Sequence, residues 1–345
     1  MKKIIKQVVG IDVAQKELVV SLSRMDEQIT VEIFANKVFA NNPKGFTALM
    51  GWVEKLTDPK VYLSYVMEAT GVYHERLAYF LEEKGQAVSI VLPSKISNYA
   101  RTLDVKTITD KTASEAIARF GAERKLDKWK RPKAIFKKLR QLTRERDQVV
   151  ADRTVAKNQL HAELAEAEPG KSSVDRIKKK ISFFDKQEKE IMTELKAVMS
   201  VDDDLKRLVA LICTIPGVGL LTAIIVLAET NGFELIRNKR QLVSYAGLDV
   251  REKQSGTSVR GKPRISKKGN RFLRKAMHFP ALSAISHDEK YKAIFARLVS
   301  KHGIKMKAAV CVQRKMLEMI YTVFKKKEAY DRMYYMRQAE VEARV

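Results

Sequence analysis

Three acidic residues stand in the first third of the chain where a carboxylate is least expected. Asp12 closes the apolar run Val8-Val9-Gly10-Ile11, Glu68 closes VYLSYVM, and Asp110 opens DKTASEAIARFG. The first two end predicted strands, where rigid backbone holds a side chain at the rim of a sheet. A single Asp in such a place also serves turns and helix caps, so Asp12 alone specifies no chemistry. Two strands that each end in an acid, with a third acid opening a helix, say more. Clustered carboxylates bind Mg2+ (or Mn2+) through oxygen, and a pair of such ions activates an attacking oxygen and steadies a leaving one. Positions 110, 113, 114 and 117 share one helix face, and an acid at 113 would complete a pair three residues apart. The residue there is Ala113, and Glu115 points elsewhere.

The second signal is charge. The 345 residues include 66 Lys and Arg against 41 Asp and Glu, a net +25. Residues 206–345 hold 29 basic and 11 acidic residues, and within 237–275 the balance is 13 to 2. That excess is unusual for a metabolic enzyme and points to a polyanion, most often nucleic acid. EKQSGTSVRGKPRISKKGNRFLRK gathers Arg260, Lys262, Arg264, Lys267, Lys268, Arg271 and Arg274 with few aromatics, which favours contact with phosphates over base stacking. Upstream, TIPGVGLLTA looks like a helix-hairpin-helix turn. Gly217 and Gly219 would let backbone approach a phosphate, and the following helix offers free N–H groups. A plain turn between two core helices is the competing reading.

The elements that must position these residues follow from periodicity. Residues 7–12 and 17–22 predict a hairpin, 29–35 a third strand, 43–56 a helix, 61–69 a buried strand, 74–85 a helix, 86–93 a strand and 109–124 a helix. The order βββ-α-β-α-β-α suggests a central sheet with helices on its faces. Residues 135–200 predict two long charged helices broken at Pro169-Gly170, a coiled-coil pair or solvated connector. From 205 onward the chain predicts helices again, with a loop at 247–269. Cys213 and Cys311 are the only cysteines, which excludes a disulfide framework and suggests a reducing compartment. The uncharged stretch 208–228 has the length of a membrane span, but Pro216-Gly217-Val218-Gly219 breaks it, so two short buried helices are expected instead.

GIDVAQKELVV, MEATGVYHERLAYFLEEKG and VKTITDKTASEAIARFG together resemble the RuvC-like (RNase H-fold) domain of DEDD transposases of the insertion-sequence 110 family. IPGVGLLTAIIVLAE and YAGLDVREKQSGTSVRGKPRISKKGNRFLRKAM resemble that family's transposase domain. The resemblance implies three parts: an α/β RNase H-like domain at 1–130, a helical coiled-coil connector at 131–204, and a mostly α transposase domain at 205–345. It implies a cytoplasmic DNA recombinase that holds Mg2+ on Asp12, Glu68 and Asp110, with Asp expected where this chain has Ala113. It also implies Ser255 as a nucleophile forming a phosphoserine link to DNA, with Ser258 and Ser266 as less well matched neighbours. Donor and target DNA, a structured bridge RNA as guide, and a homo-oligomer (dimer or tetramer) are the implied partners. Two other readings remain: a Holliday-junction resolvase-like nuclease that uses the same acids with water and gives Ser255 no role, and a non-catalytic RNA- or DNA-binding protein that uses the basic half alone.

Overall fold

The apolar alternation of the first forty residues closes into an antiparallel meander of β1 (Ile4–Val13), β2 (Glu17–Asp26) and β3 (Val31–Ala40). In this computed structural model the described residues are 3–69, 71–103, 107, 109–234, 236–252, 254–255, 259–261 and 263–333. β4 (Leu63–Glu68) and β5 (Val88–Val91) run parallel to β1, giving a five-stranded sheet in the order β3-β2-β1-β4-β5. A mixed sheet of this order with helices on its faces fits an RNase H-like domain. β1 is central, which is why Gln7 to Ile11 are buried without interruption.

Strand periodicity assigns the two faces. Val9, Ile11, Val13, Tyr65 and Met67 pack with Phe46, Leu49 and Val53 of α1 (Pro43–Leu56) and Leu77 and Leu81 of α2 (Glu75–Glu83). Val8, Val66 and Val91 face the other way, towards Ile96 of α3 (Pro93–Ala100) and Ile117 and Ala122 of α4 (Asp110–Glu123). Asp12 and Glu68 fall in the second set by the same alternation.

α4 lies directly on the sheet because small residues line its path. A Cβ on Gly10 would stand 2.3 Å from the Ala118 nitrogen and 2.5 Å from the Ser114 oxygen, and one on Gly121 would stand 2.8 Å from methyls of Val8 and Val66. The Ser21 and Ser114 hydroxyls are 2.6 Å apart, Ser21 donates to Asn36, and Ser23 donates to the Ala118 carbonyl at 3.2 Å. At the far end Lys6 donates to the carbonyls of Gly121, Ala122 and Arg124, closing the helix C-terminus with a cation.

Pro132 begins a second unit. α5 (Ala134–Leu164) and α6 (Lys171–Ser200) form an antiparallel hairpin, tied by Lys138–Glu194 at 2.7 Å, Arg153–Asp185 at 2.7 Å, and Glu188 between Arg146 and Arg153. Phe136, Leu139, Leu142, Ile191 and Leu195 of this hairpin share one core with the helices that follow. Those helices are α7 (Asp203–Ile212), α8 (Leu220–Glu229), α9 (Lys239–Ala246), α10 (Arg271–Ala276), α11 (His278–His287), α12 (Glu289–His302) and α13 (Lys305–Lys326). The uncharged stretch 208–228 is the end of α7, a turn and most of α8. Among the described residues no helix is long and apolar enough to cross a membrane.

Three elements depart from the sequence reading. α3 was not expected, because eight residues are too few to show periodicity; its signal is Pro93 at the first helical position. β3 runs to Ala40 rather than ending at 35, since an edge strand can carry Asn36 and Lys37 towards solvent. The expected loop at 247–269 contains two short antiparallel pairs, described below.

Gly10→Ala should cost about 1–3 kcal/mol, the range for overpacking, because the clash is with helix backbone. Gly51→Ala in α1 meets nothing within 4 Å and should instead stabilise by up to about 1 kcal/mol. Urea unfolding of both variants checks the pair. Equal effects would mean that α4 does not press on β1.

Candidate active site and nucleic-acid interface

Asp12 and Glu68 end adjacent parallel strands whose last paired residues are Ile11 and Met67. Both side chains point to the face that α4 covers. The helix runs opposite to β1: Gly121 lies over Val8, Ser114 and Ala118 over Gly10, and the first turn with Asp110 therefore arrives at Asp12. That turn is held by reciprocal bonds, the Thr112 nitrogen donating to the Thr109 hydroxyl at 3.2 Å and the Thr109 nitrogen to the Thr112 hydroxyl at 2.8 Å. Asn41 donates to the carbonyls of Ala14 at 2.8 Å and Tyr73 at 3.3 Å, joining the segments that leave Asp12 and Glu68. Lys6, Asn41 and the Thr109–Thr112 cap were not singled out from sequence. Only the cap has a local signal there, a T-x-x-T spacing.

The electrostatics report the convergence. Burial first, then the charges of Asp110 and Glu68, push the Asp12 carboxyl up to about 6, against one hydrogen bond from the Val13 N–H that lowers it. Asp110 is exposed, and Asp12, Glu68 and Ala113 are half-buried. Among the described residues no three acids stand close enough to form a finished metal cage. The carboxylates share a field rather than one ligand shell. An all-oxygen donor set whose members repel one another suits a hard divalent cation. Ala113, one turn after Asp110, contributes no oxygen to it.

In the second unit, Ser255 lies in β7 (Gln254–Ser255), paired antiparallel with β8 (Val259–Arg260). Flanking this pair in sequence, β6 (Val250–Arg251) pairs antiparallel with β9 (Arg264–Ile265). The side chains of Ser255 and Arg260, and the residues Ser258 and Lys262, lie outside the described part of the structure. Arg264, Lys267, Lys268 and Arg271 are exposed. Arg274 is not a free cation: it donates to the carbonyls of Ala246 at 2.8 Å and Gly269 at 3.3 Å, closing the end of α9. Ser266 donates to Asp249 at 2.6 Å.

The turn between α7 and α8 treats its two glycines differently. Gly217 has φ +79°, and a Cβ there would stand 2.4 Å from the Pro280 carbonyl oxygen, so contact with α11 accounts for this glycine. Gly219 opens α8 with no side-chain cap and nothing within 4 Å of its Cβ position. The other end of α8 carries a network not foreseen from sequence. Glu229, 3% exposed, receives Arg144 through Nε at 2.7 Å and Nη2 at 2.8 Å, and Asn270 at 2.6 Å. Asn270 also caps α10 by accepting from Phe272 and Leu273. A buried carboxylate satisfied this fully fixes α5, α8 and α10 together.

The raised Asp12 pKa has a sign. Between its ordinary 3.8 and about 6 the folded chain keeps a proton that the unfolded chain releases, so its contribution to stability falls as pH rises through that window. Asp12→Asn removes this penalty. The variant should melt above the parent at pH 7.5, with the gap closing towards pH 4. A variant that melts below the parent at pH 7.5 would mean that the acids do not repel in the fold.

The chain is similar to known proteins along most of its length. Residues 9–169 match the DEDD transposase domain of the IS110 type, and residues 209–296 match the IS116/IS110/IS902 transposase family. The pilin gene-inverting protein of Moraxella lacunata is 27% identical over 331 residues, covering 95% of this chain and 98% of its own. The transposase for insertion sequence element IS1111A of Coxiella burnetii is 31% identical over 143 residues, covering 40% and 37%. The Thermus thermophilus RuvC in complex with a Holliday junction substrate is 11% identical, covering 34% of this chain and 93% of that one. Its TM-score of 0.27 is too low to carry an argument. With both transposase domains present in order and together spanning more than half its length, the chain belongs to the IS110 family of transposases.

Proposed function

We propose that this transposase is a site-specific recombinase of an insertion sequence, guided by a structured bridge RNA that pairs with donor and target DNA. The observation that carries the catalytic part is the convergence of Asp12, Glu68 and Asp110 on one rim, which lifts the Asp12 pKa. These three carboxylates would hold Mg2+ or Mn2+, which supplies charge neutralisation at the reacting phosphate.

In the step proposed, the Ser255 hydroxyl oxygen bonds to a DNA phosphorus as the bond to the departing sugar oxygen breaks. The hydroxyl proton passes to a carboxylate, and the departing oxygen takes up a proton. The support for Ser255 is its place before Gly256 within the basic segment that resembles the family's serine loop. Arg264, Lys267, Lys268 and Arg271 would neutralise the phosphates around it. A dimer or tetramer, with acids from one chain and serine from another, is the form that four-strand exchange calls for. The α5–α6 hairpin is the proposed assembly element, within a division into 1–130, 131–204 and 205–345. Ala113 leaves the acid set one short, so this chain should bind metal and cut DNA more weakly than a variant with Asp restored there.

The test uses Ala113→Asp, with labelled DNA, guide RNA and Mg2+, followed by denaturation. A DNA–protein adduct should form, tighter metal binding should accompany it, and Ser255→Ala should abolish the adduct while sparing nucleic-acid binding. Free cleaved ends without adduct, unchanged by Ser255→Ala, would establish a water-using nuclease instead. In parallel, Arg260→Ala with Arg264→Ala should flatten the log–log salt dependence of duplex binding by about 0.9 per lost phosphate contact. An unchanged slope would move the interface elsewhere.

A further inference from the structure

A cleft of about 320 Å3 between α5, α8 and the α10–α11 segment has no part in the chemistry just described. Its lining carries three cations, Arg144, Arg146 and Lys275, and two acids, Asp147 and Glu229, and every one of the three cations is ion-paired. Glu229 holds Arg144, Asp147 holds Lys275, and Glu188 outside the cleft holds Arg146. What the walls leave for a ligand is apolar and aromatic. Phe272 already carries the Arg144 guanidinium 4.5 Å from its centroid and that of Arg271 at 4.9 Å. Phe279 stands 77% exposed at this lining, its ring 5.4 Å from that of His278 and one face left for a ligand. Leu221 and Thr222, in the first turn of α8, form part of the same lining. That turn begins at the uncapped, unobstructed Gly219.

An aromatic-walled cleft whose cations are already ion-paired, beside an open helix N-terminus and in a segment with 29 basic and 11 acidic residues, fits a neutral flat ring attached to an anion. We infer that this cleft binds one unpaired nucleotide of a single strand, its base stacked on Phe279 and its phosphate at the first turn of α8. The inference rests on the proposed nucleic-acid function and adds a site for an unstacked base to it. Stacking on an aromatic ring is tolerant of base identity, and a size of this order is sufficient for a small ligand. An apolar side chain from a second copy would use the walls but leave the N–H groups of the helix end without a partner. The strand can be the guide RNA or displaced DNA, which share this chemistry.

The test measures affinity of the full-length protein for a 20-nucleotide DNA strand, the same RNA strand, and a 20-base-pair duplex. Phe279 is exposed, so Phe279→Ala should fold. It should weaken single-strand binding by about 5- to 150-fold, the range for one lost stack, with duplex binding unchanged and Phe279→Trp restoring affinity. The arm that shows the loss identifies the strand as RNA or DNA. Strands carrying abasic positions should reproduce the loss in the parent and add nothing in Phe279→Ala. Unchanged single-strand affinity in Phe279→Ala would overturn the inference. So would an altered oligomeric state of the free protein with single-strand binding intact, which would make the cleft an interface between copies. If the parent binds neither strands nor duplex, the proposed nucleic-acid function falls too; if only the Phe279 dependence is missing, that function stands.

Discussion

The backbone of α4 touches the sheet, and the acidic rim follows from that contact. Along β1 every second residue from Lys6 to Asp12 meets the helix: Lys6 at its C-terminal carbonyls, Val8 below Gly121, Gly10 below Ala118 and Ser114, and Asp12 at the rim. The strand carries a cation to the negative end of the helix dipole and an anion to the positive end. The span fits as well. Eleven helical residues at about 1.5 Å each cover roughly the distance of four to five strand residues at about 3.3 Å. A side chain at Gly10 or Gly121 would lift the helix and take Asp110 away from Asp12.

The same contact explains the unusual state of Asp12. The carboxyl is lifted to about 6 because burial and two neighbouring acids outweigh the Val13 N–H. Folding brings together charges that repel, a condition that a divalent cation relieves. The second unit handles its acid in the opposite way. Glu229 is buried more deeply, but Arg144 and Asn270 satisfy both of its oxygens. One carboxylate is left among acids that repel it, and the other fixes three helices.

Much of the first unit was legible because its signals are local. Val8 to Ile11 read as a buried strand, 43–56 reads as an amphipathic helix, and Asp12 and Glu68 stand out against apolar runs. The face on which each helix packs was not legible, since periodicity gives a helix an apolar side without naming the sheet face it covers. Gly10 held the answer but looked like an ordinary small residue in a strand. Glu229 escaped notice for a related reason. It ends the run AIIVLAE like any solvated helix terminus, and its partner Arg144 lies 85 residues earlier. The basic segment was legible in composition but not in shape, because two-residue strands leave no pattern to read.

The central claim is that Asp12, Glu68 and Asp110 occupy one electrostatic site. Its most direct measurement is the titration of the Asp12 carboxyl carbon by NMR, without divalent cations, in the parent and in Asp110→Asn and Glu68→Gln. A midpoint near 6 that falls in each variant, further in Asp110→Asn, is the expected result. A midpoint near 4 that neither substitution moves would contradict the account.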